Sequence, residues 1–246
     1  MPPAIRAISV AALVLLLFPV ITELSGWHWQ PVGNSPWLGI QLFITDSAGF
    51  PWAVGTCFLI SILLVWQLRL NVAYGFFLVG LCLTAIMIGQ GVKSAFKNIA
   101  QESRPYVVWL EQRYAIPPES FYEMPRTERA ELIQKTVAEE PLIPEPLREH
   151  WQSETGYSFP SGHTMFSATW ALLGVGVLWP RQKYFLSGVL VLWAVAAAGS
   201  RMILGMHWPM DLIVSTLIGW GIVVIALSAG KRFLYSAGDD KKQGCV

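Results

Sequence analysis

Apolar residues run through this chain in blocks too long for ordinary soluble helices. Six uncharged stretches approach or reach the roughly 20 residues that cross a bilayer as a helix, at 7–21, 47–68, 70–92, 164–179, 184–199 and 212–230. The first, led by Arg6, has the outline of a secretory signal, but no small-residue cleavage site follows Leu24, so it is expected to remain as a span. Between the third and fourth blocks lies the only sizeable polar stretch, 98–159, rich in Glu, Arg and Pro. Its segment 119–139 has helix-forming composition with Pro125 suited to a first turn, so short helices lying over the membrane domain are expected. The pattern predicts an all-α fold: one domain, 1–246, formed by a bundle of six transmembrane helices with 98–159 as a helical loop region between spans three and four.

Composition sharpens this reading. Hydrophobic residues make up 54% of the 246 positions and charged residues only 13%, which sets the chain apart from soluble domains. Twelve tryptophans suit the headgroup zone. A net charge of +1 without an arginine-rich tract gives no footprint for nucleic acid. Cys57, Cys82 and Cys245 lack ligand spacing and are expected as free thiols.

Lys and Arg mark sidedness, because they concentrate in short cytoplasmic connections. Arg6, Arg69, Arg181, Lys183, Lys231, Arg232, Lys241 and Lys242 fall on one side if six spans alternate, whereas 22–46 has neither Lys nor Arg. Both termini are therefore expected in the cytoplasm. The long polar loop and the 201–211 connection are expected on the opposite face, since long loops translocate largely regardless of charge.

Three clusters then stand out as ionisable residues near membrane depth, where charge is costly and usually functional. In the first, Lys97 and Arg104-Pro105 offer a point charge and a planar fork of donors for a phosphate. Lys93, one turn earlier, either extends that cationic face or only ends a span at the headgroups. In the second, Pro160-Ser161-Gly162-His163, the turn lets Ser161 cap a helix whose free amides face an anion, with His163 in the mouth. In the third, Ser200-Arg201 precedes His207 and Asp211. Four residues apart, these two share a helix face if the local structure is helical, so the carboxylate can hold one imidazole nitrogen and leave the other free to attack. Pro209 restricts that helix to starting nearby.

Lys-x6-Arg-Pro, Pro-Ser-Gly-His and Ser-Arg-x5-His-x3-Asp resemble the three motifs of the type 2 phosphatidic acid phosphatase superfamily, with every position filled between Lys97 and Asp211. The tracts Gly26-Trp27-His28-Trp29-Gln30-Pro31, Gly89-Gln90-Gly91-Val92-Lys93-Ser94, His150-Trp151-Gln152, Glu154-Thr155-Gly156 and Gly205-Met206-His207-Trp208-Pro209 extend the resemblance to the lipid phosphatases of its membrane branch in Gram-negative inner membranes. A soluble haloperoxidase shares the motifs but conflicts with six apolar spans.

The resemblance implies a metal-independent hydrolase without cofactor, in an inner membrane with its active site facing the periplasm. His207 is the implied nucleophile, forming a phosphohistidine, with Asp211 orienting it and His163 as acid and base. Lys97, Arg104, Ser161, Gly162 and Arg201 are the implied phosphate ligands. Glu154 either meets the substrate head, tunes His163, or only solvates the loop. The implied partners are the bilayer and its lipid phosphates: phosphatidylglycerophosphate, phosphatidate, lysophosphatidate, diacylglycerol diphosphate and undecaprenyl diphosphate. No nucleic acid or obligate protein partner is implied. Two other readings stay open, a phosphotransferase of the same superfamily and a lipid-phosphate binder without catalysis.

Overall fold

A computed structural model of the chain describes residues 2–31 and 33–243, and the side chains of these except 98 and 231–243. Cys245 lies outside the described residues, while Cys57 and Cys82 are free thiols. The described chain is helical: α1 Pro3–Leu24, α2 Leu38–Ser47, α3 Trp52–Leu68, α4 Val72–Ala100, α5 Pro105–Tyr114, α6 Pro118–Glu123, α7 Arg126–Thr136, α8 Glu145–Ser153, α9 Gly162–Leu178, α10 Tyr184–Ile203 and α11 Pro209–Gln243.

α9 is the axis of the bundle. Every residue from Thr164 to Leu178 is buried, and α1, α4, α10 and α11 pack around it. α9 has no solvent or lipid face, so it reads as one apolar run without helical alternation. Its neighbours turn apolar faces outward, including Leu13, Leu17, Phe76, Met87, Leu192 and Ile225, as lipid-facing helices do.

Four of the six expected spans appear as helices long and apolar enough to cross a bilayer, within α1, α4, α10 and α11. The expected span at 47–68 is not one straight helix. α2 and α3 bend by 69° around Gly49-Phe50-Pro51, where Pro51 lacks an N–H and disfavours helix at the residue before it. This pair makes at most one broken span, for up to five in all. The expected fourth span is α9, whose 17 residues reach only about 26 Å. By length and composition four or five spans are shown among the described helices; α9 sits at the short limit of the roughly 17–25 residues that cross a bilayer, and its crossing belongs to the orientation proposed below.

Residues 98–159 fold as four short helices, α5 to α8. The helix expected across 119–139 is split, because Pro125 stands before α7 as its N-cap rather than within the first turn. These helices share an aromatic core in which Trp151 stacks on Tyr106 at 4.6 Å and meets Trp29 edge-on at 5.8 Å. Two indoles from this core donate to the last carbonyls of the α10 segment, Trp29 Nε1–H to Ile203 at 2.8 Å and Trp151 Nε1–H to Leu204 at 2.9 Å. Those carbonyls have no partner within the helix, so the indoles dock the polar layer onto the bundle. Gly205, at φ +72°, turns the chain there, and a Cβ on it would sit 2.7 Å from the Trp29 ring.

Candidate active site

Helix direction brings the three clusters to one end of the bundle. Lys97 ends an apolar helix, His163 begins one, Arg201 lies in the last turn of α10, and Asp211 lies in the first turn of α11. Arg104, Arg201, His207 and Asp211 are each at most 2% exposed, and charges that deep require partners.

His207 stands two residues before α11, and its Nδ1 lies 3.0 Å from Asp211 Oδ2. The same carboxylate oxygen accepts from the Trp208 backbone N–H at 3.0 Å and from the Ser158 hydroxyl. Asp211 therefore holds the Nδ1–H tautomer and leaves Nε2 bare. Ser158 Oγ also approaches His207 Nδ1 at 3.4 Å. Burial first, then Arg104, Arg201 and Lys97, push His207 well below the ordinary imidazole range, so its ring is neutral at neutral pH. The Glu102 carboxyl reaches Asp211 as well, and burial with nearby Glu23 pushes Glu102 above the usual carboxylate range.

Glu154 gathers the opposing charges. Arg201 Nη2 reaches its Oε2 at 2.6 Å, Arg104 Nη2 the same oxygen at 3.4 Å, and His163 Nε2 its Oε1 at 3.5 Å. Burial pushes this carboxyl upward, yet Arg201, His163, Arg104 and His150 together hold it well below its usual range. An anion thus already occupies the convergence of two guanidiniums and an imidazole. Arg201 Nε is buried with no hydrogen-bond partner among the described residues.

Backbone carbonyls aim the cations. Arg104 Nε donates to Gly156 O at 2.6 Å and Nη1 to Met206 O at 3.4 Å, while its own N–H donates to Tyr122 Oη. Lys97 Nζ comes beside the same Gly156. Ser161 caps α9, its Oγ accepting from Thr164 N–H and donating to Thr164 Oγ1, so this hydroxyl is engaged locally. Lys93 runs along the start of α9, where a Cβ on Gly162 would lie 2.7 Å from its Cδ.

All ten candidate residues therefore lie at this end of the bundle. Sequence reading missed Ser158, whose only local signal is its place two residues before Pro160, and also Thr45 and His150. These two accept from Arg201 Nη1, at 2.9 Å to Thr45 Oγ1 and 3.0 Å to His150 Nε2. His150 is pushed down to about 4 by burial and then by Arg201, so it is a neutral acceptor.

Known proteins share this arrangement's sequence. The PAP2 superfamily matches residues 74–234. Phosphatidylglycerophosphatase B of Escherichia coli (strain K12) is 46% identical over 92% of this chain and 89% of its own length. Phosphatidylglycerophosphatase B of Haemophilus influenzae is 34% identical over 92% of this chain and 96% of its own. An undecaprenyl-diphosphatase of Sulfolobus acidocaldarius is 35% identical over 26% of this chain and 30% of its own. Three filled motifs converging at one end of an apolar bundle, with a family match over residues 74–234, make this multi-pass membrane phosphatase a member of the PAP2 superfamily.

Proposed function

We propose that the chain is a lipid phosphatase that hydrolyses phosphatidylglycerophosphate to phosphatidylglycerol, and also phosphatidate, lysophosphatidate, diacylglycerol diphosphate and undecaprenyl diphosphate, through a phosphohistidine. The observation that carries this is a buried, neutral His207 whose Nδ1 is held by Asp211 beside Arg104, Arg201 and Lys97. The relatives' names support the phosphatidylglycerophosphate and undecaprenyl diphosphate readings.

In this reading His207 Nε2 attacks phosphorus, forming an N–P bond as the P–O bond to the leaving group breaks with its electron pair on oxygen. His163 gives that oxygen its proton, then accepts one from the water that cleaves the N–P bond. Asp211 stabilises the imidazolium as it forms. Lys97, Arg104, Arg201 and the amides at Ser161 and Gly162 neutralise the non-bridging oxygens, with Lys93 at the rim. No metal takes part. Glu154 holds the guanidiniums in place until the substrate phosphate takes over their donors. The site faces the periplasm from the inner membrane, with both termini cytoplasmic, and the substrate's chains stay in the bilayer.

The test is inorganic phosphate release by detergent-purified protein in excess EDTA, on phosphatidylglycerophosphate and undecaprenyl diphosphate, comparing wild type with His207→Ala. Release that survives chelation and falls by at least about 10³-fold in the variant is expected for loss of a nucleophile. Wild-type lipid binding without release would sink the hydrolase reading for the binder. Phosphoryl transfer to an added lipid or sugar in place of free phosphate would favour the transferase.

A further inference from the structure

The corner between α2 and α3 lies before the matched residues 74–234 and outside all three motifs, yet it touches the site at three points. Thr45 is fully buried, and its Oγ1 accepts from Arg201 Nη1 at 2.9 Å. The second acceptor of Nη1 is His150 Nε2 at 3.0 Å. Guanidinium only donates, so that nitrogen is bare and the His150 proton sits on Nδ1, the atom 3.9 Å from Asp46 Oδ1. Both hydrogens of Nη1 are thus committed, and the plane of the Arg201 fork is set from the corner's side.

Gly49 makes the third contact. A Cβ built there would lie 2.5 Å from His163 Nε2, closer than any side chain tolerates. The backbone here cannot retreat easily. Trp193 Nε1–H donates to Ser47 Oγ at 2.9 Å and Thr56 Oγ1–H to Ser47 O at 2.6 Å, tying the corner to α10 and α3. Gly49 itself donates to Asp46 O at 2.8 Å and accepts from Ala53 N–H at 2.7 Å.

We propose that the α2–α3 corner is the fourth wall of the phosphate site, in which Thr45 is a positioning residue for Arg201 and Gly49 reserves the space beside His163 Nε2 that a leaving-group oxygen needs. The inference rests on the roles of Arg201 and His163 given above. His163 can then protonate the departing oxygen as the P–O bond breaks, which matters most for a poor leaving group. A phosphate monoester, with a second pKa of about 6, departs without a proton. An alcohol does not. The corner therefore governs whether lipid monophosphates, and not only diphosphates, are hydrolysed.

Two lipids with identical acyl chains separate the cases: diacylglycerol diphosphate, which loses a phosphate monoester, and phosphatidate, which loses an alcohol. In Gly49→Ala the kcat/KM on phosphatidate is expected to fall about a hundredfold, the size of a general-acid contribution, and on diacylglycerol diphosphate by less than about threefold. Because both rates come from one preparation, any loss of folded protein cancels in their ratio. Thr45→Val is expected to raise KM for both lipids about fivefold to tenfold, the effect of losing one buried hydrogen bond, with their ratio unchanged. Thr45→Ser restores KM. An unchanged ratio in Gly49→Ala, or a larger loss on the diphosphate, overturns the wall's part in leaving-group protonation; an unchanged KM in Thr45→Val overturns the positioning role. Those failures would come from a wild type that hydrolyses both lipids, whereas a wild type that hydrolyses neither removes the lipid phosphatase reading itself.

Discussion

At the residue scale the proposed mechanism turns on His207, which must be neutral to attack. Burial and three cations push its value below the ordinary imidazole range, so the ring stays deprotonated as pH falls through the ordinary value of about 6.5. The sign follows: proton uptake at His207 lowers activity only at more acidic pH, and the acid limb of kcat/KM lies below 6.5 once the substrate's own second ionisation near about 6 is divided out. Glu154 opposes the shift by pulling His207 upward. In Glu154→Gln the limb should therefore move to still lower pH. A limb at or above the ordinary value in wild type, or one that rises in the variant, would contradict this account. The pairing of His207 with Asp211 is legible in the sequence, because the two are neighbours in the chain and their contact needs only local geometry. Ser158, Thr45 and His150 are not, since their partners His207 and Arg201 lie 49 residues or more away and a serine or threonine in a polar or apolar run looks like any other. The close approach of Gly49 to His163 is likewise invisible until the α2–α3 corner is folded against α9. Glu154 was legible only as a candidate. Its convergence with two guanidiniums depends on the path of the chain between α8 and α9.

At the scale of elements, the placement of His207 depends on how α10 passes into α11, and that link is held from above by the aromatic core. Trp151 is fully buried, stacks on Tyr106 and donates to Leu204 O, one residue before the Gly205 turn. Met206 O, just beyond, accepts from Arg104 Nη1 and Ser158 Oγ. Motifs one and three are therefore coupled through a backbone segment that the indoles fix. Trp151→Phe keeps most of the ring area but removes the N–H, leaving a buried carbonyl short of a donor, which costs about 1–3 kcal/mol. Thermal unfolding in detergent should drop accordingly, with kcat falling while KM changes little, because the displaced group is the loop of the proposed nucleophile. An unchanged melting temperature would show that the indole bond carries no weight. Apolar periodicity located α1, α4, α10 and α11 well, since long uncharged runs have few alternatives. The same criterion is too coarse at 47–68, where hydropathy is indifferent to the Gly49-Phe50-Pro51 break that separates α2 from α3. The break was written in the residues, but its consequence, a corner packed against Arg201 and His163, requires α8, α9 and α10 to be in place first.

For the whole molecule, helix direction and charge are the grounds of the proposed orientation. Arg69 precedes α4 and Lys97 lies near its end; His163 opens α9 and Arg181 follows it; Lys183 precedes α10 and Arg201 lies in its last turn. The short basic connections thus occupy the end of the bundle opposite the phosphate site. In the proposed orientation, which follows the positive-inside preference, Arg69, Arg181 and Lys183 lie in the cytoplasm and the site, with α5 to α8, in the periplasm. Such an orientation lets a lipid phosphate reach the cations from the outer leaflet while its chains remain among the exposed apolar faces of α1, α3, α4 and α10. Sidedness can be read with single cysteines in a background lacking Cys57, Cys82 and Cys245. Glu139, exposed between α7 and α8, and Lys183, exposed before α10, stand on opposite ends. A membrane-impermeant maleimide applied to intact spheroplasts is expected to label Glu139→Cys and to label Lys183→Cys only after permeabilisation. Labelling in the reverse order would put the catalytic end in the cytoplasm and move its substrates to the inner leaflet. Labelling of both from outside would mean that α9, the long helix between them, does not cross the membrane.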